Sequence, residues 1–182
     1  MSDKKLWSPT TTKNTLNLFT EYINDELKID NYAHLHRWSI EKKEIFWSKF
    51  WEFSNIIGDK QDIIFKDSKN FIETKFFENS NLNYTENCLQ LNTNDEAIIY
   101  YNEQKHLKKI TWYDLKSNVF KIAHYFKSKN IVKYDRIAAV LPNIPETVQA
   151  FLACARIGAI WSSCSSDFGP KAIIDRFKQI EP

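Results

Sequence analysis

Glycine is scarce, with three residues in 182, where average usage would supply roughly thirteen. A loop that cradles phosphate with backbone N–H groups needs glycines for close approach. No such loop is expected within these residues, and none of its signatures occurs. Cysteine is also sparse. Cys88, Cys154 and Cys164 are odd in number and widely spaced, which argues against a disulfide framework and for reduced thiols in a cytosolic setting. Neither charge sign dominates: 25 basic residues face 23 acidic ones, a net charge of +2, too balanced for a dedicated nucleic-acid binder. Only four of the basic residues are Arg, a skew that reads as base composition of the genome. The longest unbroken apolar run is residues 150–155, far short of the about 20 residues of a membrane-spanning helix. Met1-Ser2-Asp3-Lys4-Lys5 has no apolar stretch behind it, so no secretory signal is expected.

Aromatic residues are plentiful at 15%, six of them Trp. With 43% hydrophobic and 26% charged residues, the composition is that of a folded globule of one domain or one and a half. The pattern changes near residue 95. Before it, Leu16, Phe19, Ile23 and Leu27 fall three or four apart, which predicts a helix over 12–27 with Thr11 or Thr12 as N-cap. A second helix is predicted over 40–57, capped by Ser39 and closed by Gly58. It carries Phe46, Trp47, Phe50, Trp51 and Phe53. These rings could form a core or docking face, or a platform for stacking bases. The helix lacks an Arg cluster, which favours the core. Residues 59–93 alternate short apolar groups with polar ones and read as an irregular wrapping segment.

From Glu96 the sequence alternates strands and helices. Residues 97–101 and 107–110 predict a hairpin. Thr111 with Asp114 three positions on predicts a helix start, Leu115, Val119, Ile122 and Phe126 its buried stripe, and Asn130 its left-handed end. Residues 136–141 form an unbroken apolar run apart from Arg136, as a strand buried on both faces requires. Pro145 opens a helix that stops at Gly158. Residues 159–164 form a second strand, parallel to the first because one helix joins them. A further helix opens at Pro170. A βαβα series of this kind leaves a parallel sheet half built, so the chain is expected to be the front of a longer protein.

Several segments resemble one family. Ala33-His34-Leu35-His36-Arg37-Trp38-Ser39, Phe50-Trp51-Glu52-Phe53-Ser54 and Leu82-Asn83-Tyr84-Thr85-Glu86-Asn87 resemble the N-terminal cap of acetoacetyl-CoA synthetases, a branch of the adenylate-forming acyl-CoA synthetases. Asp135-Arg136-Ile137-Ala138-Ala139-Val140-Leu141-Pro142-Asn143 and Trp161-Ser162-Ser163-Cys164-Ser165-Ser166-Asp167-Phe168-Gly169 extend the resemblance through the second half. It implies an α/β protein in which a helical, aromatic-rich cap (residues 1–95) precedes the start of a parallel-sheet adenylation domain (96–182). It also implies ATP and CoA as substrates, Mg2+ with ATP, acetoacetate as the acid, the remainder of a ligase chain as partner, and a cytoplasmic setting without nucleic acid or membrane. Related acetate or propionate ligases and a non-catalytic docking module stand as alternatives. The family's phosphate loop, adenine-binding motifs and catalytic lysine have no counterpart in these residues, so the chain alone is expected to lack ligase activity.

In a parallel sheet, ligands bind beyond the carboxyl ends of the strands. The segments there are Pro142-Asn143-Ile144-Pro145 and residues 163–169. By resemblance, Ser165, Ser166 and Asp167 match the segment of acetyl-CoA synthetases that lines the CoA nucleotide pocket, although those enzymes carry Gly at the positions of Ser166 and Asp167. The same Ser and Asp side chains could instead cap the helix opening at Pro170. Cys154 and Cys164 read as buried thiols. His34 and His36 cannot share a helix face and read as packing or capping residues. No catalytic residue and no metal ligand is assigned.

Overall fold

The computed structural model describes residues 14–182, and the chain divides into two compact units between Asn81 and Leu82. The first unit holds three helices, α1 (Thr15–Leu27), α2 (Tyr32–Glu41) and α3 (Lys43–Phe53), followed by short strands β1 (Gly58–Asp59), β2 (Phe65–Lys66) and β3 (Lys75–Phe76). Asn14 caps α1, its side chain accepting from the Asn17 N–H at 2.9 Å. The predicted caps Thr11 and Thr12 lie outside the described residues. The second predicted helix needs correction. The aromatic stretch forms two helices, and Ser39 sits inside α2, donating its hydroxyl to the His36 carbonyl at 2.7 Å. The cap is instead Asn31, which accepts from the His34 N–H at 3.0 Å. At the other end α3 stops at Phe53, well before Gly58, and Asn55 takes the left-handed turn at φ 50°.

The aromatic residues form the core of this unit. Phe19, Ile23, Ile29, Leu35 and Trp38 are buried together, with Phe46 and Phe53 packed against them. Phe19 meets Phe46, Phe50 and Phe53 edge-on at 5.1–5.8 Å between ring centres, an arrangement the ring quadrupoles favour. Trp51 is buried and its ring lies 4.8 Å from that of Phe77. The wrapping segment is irregular as expected: β2 and β3 pair antiparallel over two residues, and a 3-10 turn spans Phe71–Glu73.

A two-residue strand, β4 (Asn81–Leu82), leads into the second unit, which contains α4 (Tyr84–Cys88), β5 (Glu96–Tyr101), β6 (Leu107–Thr111), α5 (Trp112–Ser128), β7 (Arg136–Val140), α6 (Pro145–Arg156), β8 (Ile160–Cys164) and α7 (Pro170–Phe177). The hairpin β5–β6 forms as predicted, antiparallel with a bulge between Glu96 and Ile98. Thr111 caps α5 by accepting from the Asp114 N–H at 3.0 Å, and Asn130 follows the helix at φ 61°. Leu115, Val119 and Ala123 of α5 pack with Ile110, Leu152, Ala153 and Leu89 in one core. That stripe holds α5 against α6.

β7 and β8 are parallel, pairing from Arg136 with Ile160 to Val140 with Cys164, and α6 connects them. The expectation that β7 is buried on both faces does not hold. Arg136 and Val140 are exposed and Ile137 to Ala139 only half-buried. Each strand has a single hydrogen-bonded neighbour in a sheet of two, so the apolar run is only partly covered.

Candidate functional site at the carboxyl ends of the parallel strands

β7 and β8 end side by side. The Leu141 N–H donates to the Cys164 carbonyl at 3.2 Å, extending the ladder one step past the last paired residues. The chain leaving β7 then turns sharply. The Pro142 carbonyl accepts from both the Ile144 N–H (2.9 Å) and the Thr147 hydroxyl (2.8 Å). Pro145, buried, takes the first position of α6, where its missing N–H leaves no intrahelical bond unmade. Asn143 remains exposed at the apex.

The chain leaving β8 forms a second turn held by its own side chains. The Ser165 hydroxyl donates to the Asp167 carboxylate at 2.9 Å and accepts from the Asp167 N–H at 3.3 Å. The Phe168 N–H reaches the Ser165 carbonyl at 3.3 Å. Ser165, Ser166 and Asp167 are all exposed. The capping alternative is not what the structure contains. The N-cap of α7 is Gly169, and no side chain accepts from the first helical N–H groups. Ser165 and Asp167, four and two residues before Gly169, are bonded to each other instead. Phe168 lies under the guanidinium of Arg176, whose Cζ sits 4.2 Å from the ring centre.

The other candidates stand apart from these turns. Cys154 and Cys164 are buried, and burial pushes the Cys154 thiol up to about 11, which suppresses the nucleophilic thiolate. Cys88 lies beside Tyr84, and the hydrogen bond between them is the main reason that the phenol titrates above its ordinary value. His34 and His36 lie on α2, where His36 stacks on Tyr32 at 6.1 Å. Among the described residues no group of three His, Cys, Asp or Glu side chains could hold a metal ion, and no helix is long and apolar enough to cross a membrane. Near the β7 turn, Glu146 on the first turn of α6 pairs with Lys108 of β6 at 2.5 Å. That hydrogen bond is the main cause that holds its carboxyl below the ordinary carboxylate value.

Residues 85–182 match the family profile described as AMP-binding enzyme. The chain belongs to that family. Residues 32–88 match a second profile, the acetyl-coenzyme A synthetase N-terminus. The two matches meet at α4. An acetoacetyl-coenzyme A synthetase of Rhizobium meliloti is 37% identical over 152 residues, which are 84% of this chain and 23% of that relative. The acetoacetyl-CoA synthetase of Xenopus tropicalis is 38% identical over 189 residues, 100% of this chain and 28% of that relative. Among solved structures, the acetoacetyl-CoA synthetase of Streptomyces lividans superimposes with a TM-score of 0.85 at 29% identity, over 94% of this chain and 27% of that one. The chain therefore spans about a quarter of the length of the relatives it matches. The likeness to acetoacetyl-CoA synthetases expected from the cap and strand segments is borne out, as is the α/β class with a helical, aromatic-rich beginning.

Two features of the second unit escaped the sequence reading. Asn83-Tyr84-Thr85-Glu86 has the spacing of a capping box, and Asn83 does cap α4, accepting from the Glu86 N–H at 3.0 Å. Its side-chain amide then donates to the carbonyls of Ala155 (3.0 Å) and Arg156 (3.2 Å), and the buried Thr85 hydroxyl donates to the Leu152 carbonyl at 2.6 Å. The Asn-Tyr-Thr element thus docks α4 onto α6. Arg176 over Phe168 carries no sequence signal, since Phe168 precedes the helix and shares no helical period with position 176.

Proposed function

We propose that this chain forms part of an ATP-dependent acetoacetate–CoA ligase. In this reading a carboxylate oxygen of acetoacetate attacks the α-phosphorus of ATP, giving acetoacetyl-adenylate and pyrophosphate. The sulfur of CoA then attacks the acyl carbon, loses its proton and expels AMP. Similarity to acetoacetyl-CoA synthetases along the entire chain is the observation that carries the proposal. The division into a cap region through residue 95 and an adenylation domain from residue 96 belongs to the same reading, as does a cytoplasmic setting. Mg2+ would enter with ATP, and the described residues offer no ligand cluster of their own to hold it.

Within the chain, Ser165, Ser166 and Asp167 are assigned to the border of the CoA nucleotide site. Their position beyond the carboxyl end of β8 supports this, because that rim is where parallel sheets bind ligands. Exposed Ser166 offers a donor and an acceptor. Asp167, when ionised, is an acceptor only, and its charge repels phosphate. It therefore suits N–H or hydroxyl groups of the nucleotide better than the phosphates.

The test is Ser166→Trp in the ligase polypeptide that contains this chain. Adenylation uses ATP and the acid but not CoA, so acetoacetate-dependent pyrophosphate exchange without CoA should stay near normal. Thioester formation should need more CoA, by about 5- to 150-fold for a clash or lost contact of about 1–3 kcal/mol. Equal loss of both activities with a lowered melting temperature would remove the loop from the site.

A further inference from the structure

We infer that Arg176 is a positioning residue for the loop of residues 165–169, holding it through Phe168 in the shape that meets CoA. The inference rests on the CoA reading above. Among the described residues, the polar contacts of Ser165, Asp167 and Phe168 stay within the loop. They define a tight turn but do not orient it. What ties the turn to its surroundings is the stack of the Arg176 guanidinium on the Phe168 ring at 4.2 Å, well inside the about 6 Å range of a cation–π contact. Gly169, between loop and helix, accepts the first intrahelical bond from the Ile173 N–H at 3.2 Å and carries no side chain that could brace the loop.

The geometry separates this role from simple support of α7. The segment after that helix is braced independently, because the Arg136 side chain donates from Nε to the Glu181 carbonyl at 2.9 Å. Arg, Lys and Met have nearly equal helix propensities, so either replacement keeps α7 helical; Met removes the cation from the ring and from the last turn of the helix, whereas Lys retains it. The same unit also supplies a control. Arg156 of α6 stacks on Phe120 of α5 at 3.8 Å, the same chemistry away from the loop. Loss of the Arg156 stack should weaken the fold without acting on CoA in particular.

The experiment uses the ligase polypeptide that contains this chain. Arg176→Met is expected to raise the KM for CoA by about 2- to 10-fold, while pyrophosphate exchange without CoA stays unchanged. Arg176→Lys, which keeps a cation, should recover part of the loss. Arg156→Met should leave the CoA requirement where it was. Amide hydrogen exchange across residues 165–169, measured without CoA, should be faster in Arg176→Met. Unchanged exchange would overturn the inference whatever the loop binds. Faster exchange with an unchanged KM for CoA would also overturn it. Ser166→Trp then tells the two failures apart. If that variant raises the CoA requirement, only the role of Arg176 falls, and if it does not, the CoA assignment falls as well.

Discussion

Replacing Gly158 by alanine tests how the parallel pair is held in register. α6 ends in a two-bond reversal: the Gly158 N–H donates to the Ala155 carbonyl and the Ala159 N–H to the Cys154 carbonyl, both at 3.1 Å. That closure places Gly158 at φ 76°, a left-handed conformation that costs an L-residue about 1–2 kcal/mol. A new Cβ would also stand 2.9 Å from Cγ of Lys133, near the root of that side chain, so the lysine must shift to admit it. Alanine narrows the unfolded ensemble, but at positive φ the strain outweighs that gain. The net expectation is a loss of about 1–2 kcal/mol, or a melting temperature lower by about 2–8 °C for a chain of this size. Gly169 is the internal comparison. Its φ is −65° and its surroundings are open, so Gly169→Ala carries only the cost of a poorer N-cap and should lose less than Gly158→Ala. Gly158→Asn should recover part of the loss, because Asn tolerates the left-handed region. Thermal unfolding of dilute protein, followed by tryptophan fluorescence, measures all three. Equal stability of Gly158→Ala and Gly169→Ala would refute the reasoning. The consequence reaches the site, because the Gly158 carbonyl accepts from the Tyr134 N–H at 3.0 Å just before β8 sets out toward the loop at 165.

Three further outcomes are expected. Thr85→Val keeps the shape of a fully buried side chain but removes its bond to the Leu152 carbonyl, and should cost about 1–2 kcal/mol in urea unfolding; a change below about 0.3 kcal/mol would mean that the bond does not hold α4 to α6. Glu146 titrates below its ordinary value of 4.5 because of Lys108, so its contribution is fully present above that value and fades as pH falls through the lower, folded one. Both side chains are about half exposed, which limits the contribution to below about 1 kcal/mol; Lys108→Met should therefore lower stability slightly at pH 7 and not at all in strong acid, and an equal loss at both pH values would exclude the ion pair as its cause. Val140, Ile160, Phe168 and Ile174 are each 40% or more exposed, a liability for an isolated chain, which should self-associate or bind a hydrophobic dye; a monodisperse, dye-silent monomer would contradict this.

Local patterns were legible wherever one short-range rule had no competitor. Thr111 with Asp114, Asn130, Pro145 and Gly158 mark helix ends through bonds spanning three or four residues, so the α5–β7–α6–β8 succession could be read from the chain alone. The first helices were harder. Ser39 is as good a cap by type as Asn31, but the observed helix starts at Tyr32 and buries Leu35 and Trp38 with Phe19 and Ile23. Burial on both faces could not be read either. An apolar run at Ile137–Val140 states what a strand could bury, whereas exposure depends on which elements lie beside it. The resemblance of the cap and strand segments pointed to an acyl-CoA synthetase and, through it, to the loop at Ser165–Asp167. Only the tertiary structure showed that Ser165 and Asp167 bind each other instead of capping α7, and that Arg176 lies on Phe168. The first is a local turn of a Ser with the residue two positions on, which competes with capping at the same spacing; the second joins residues eight apart across the turn into α7, which no helical period encodes.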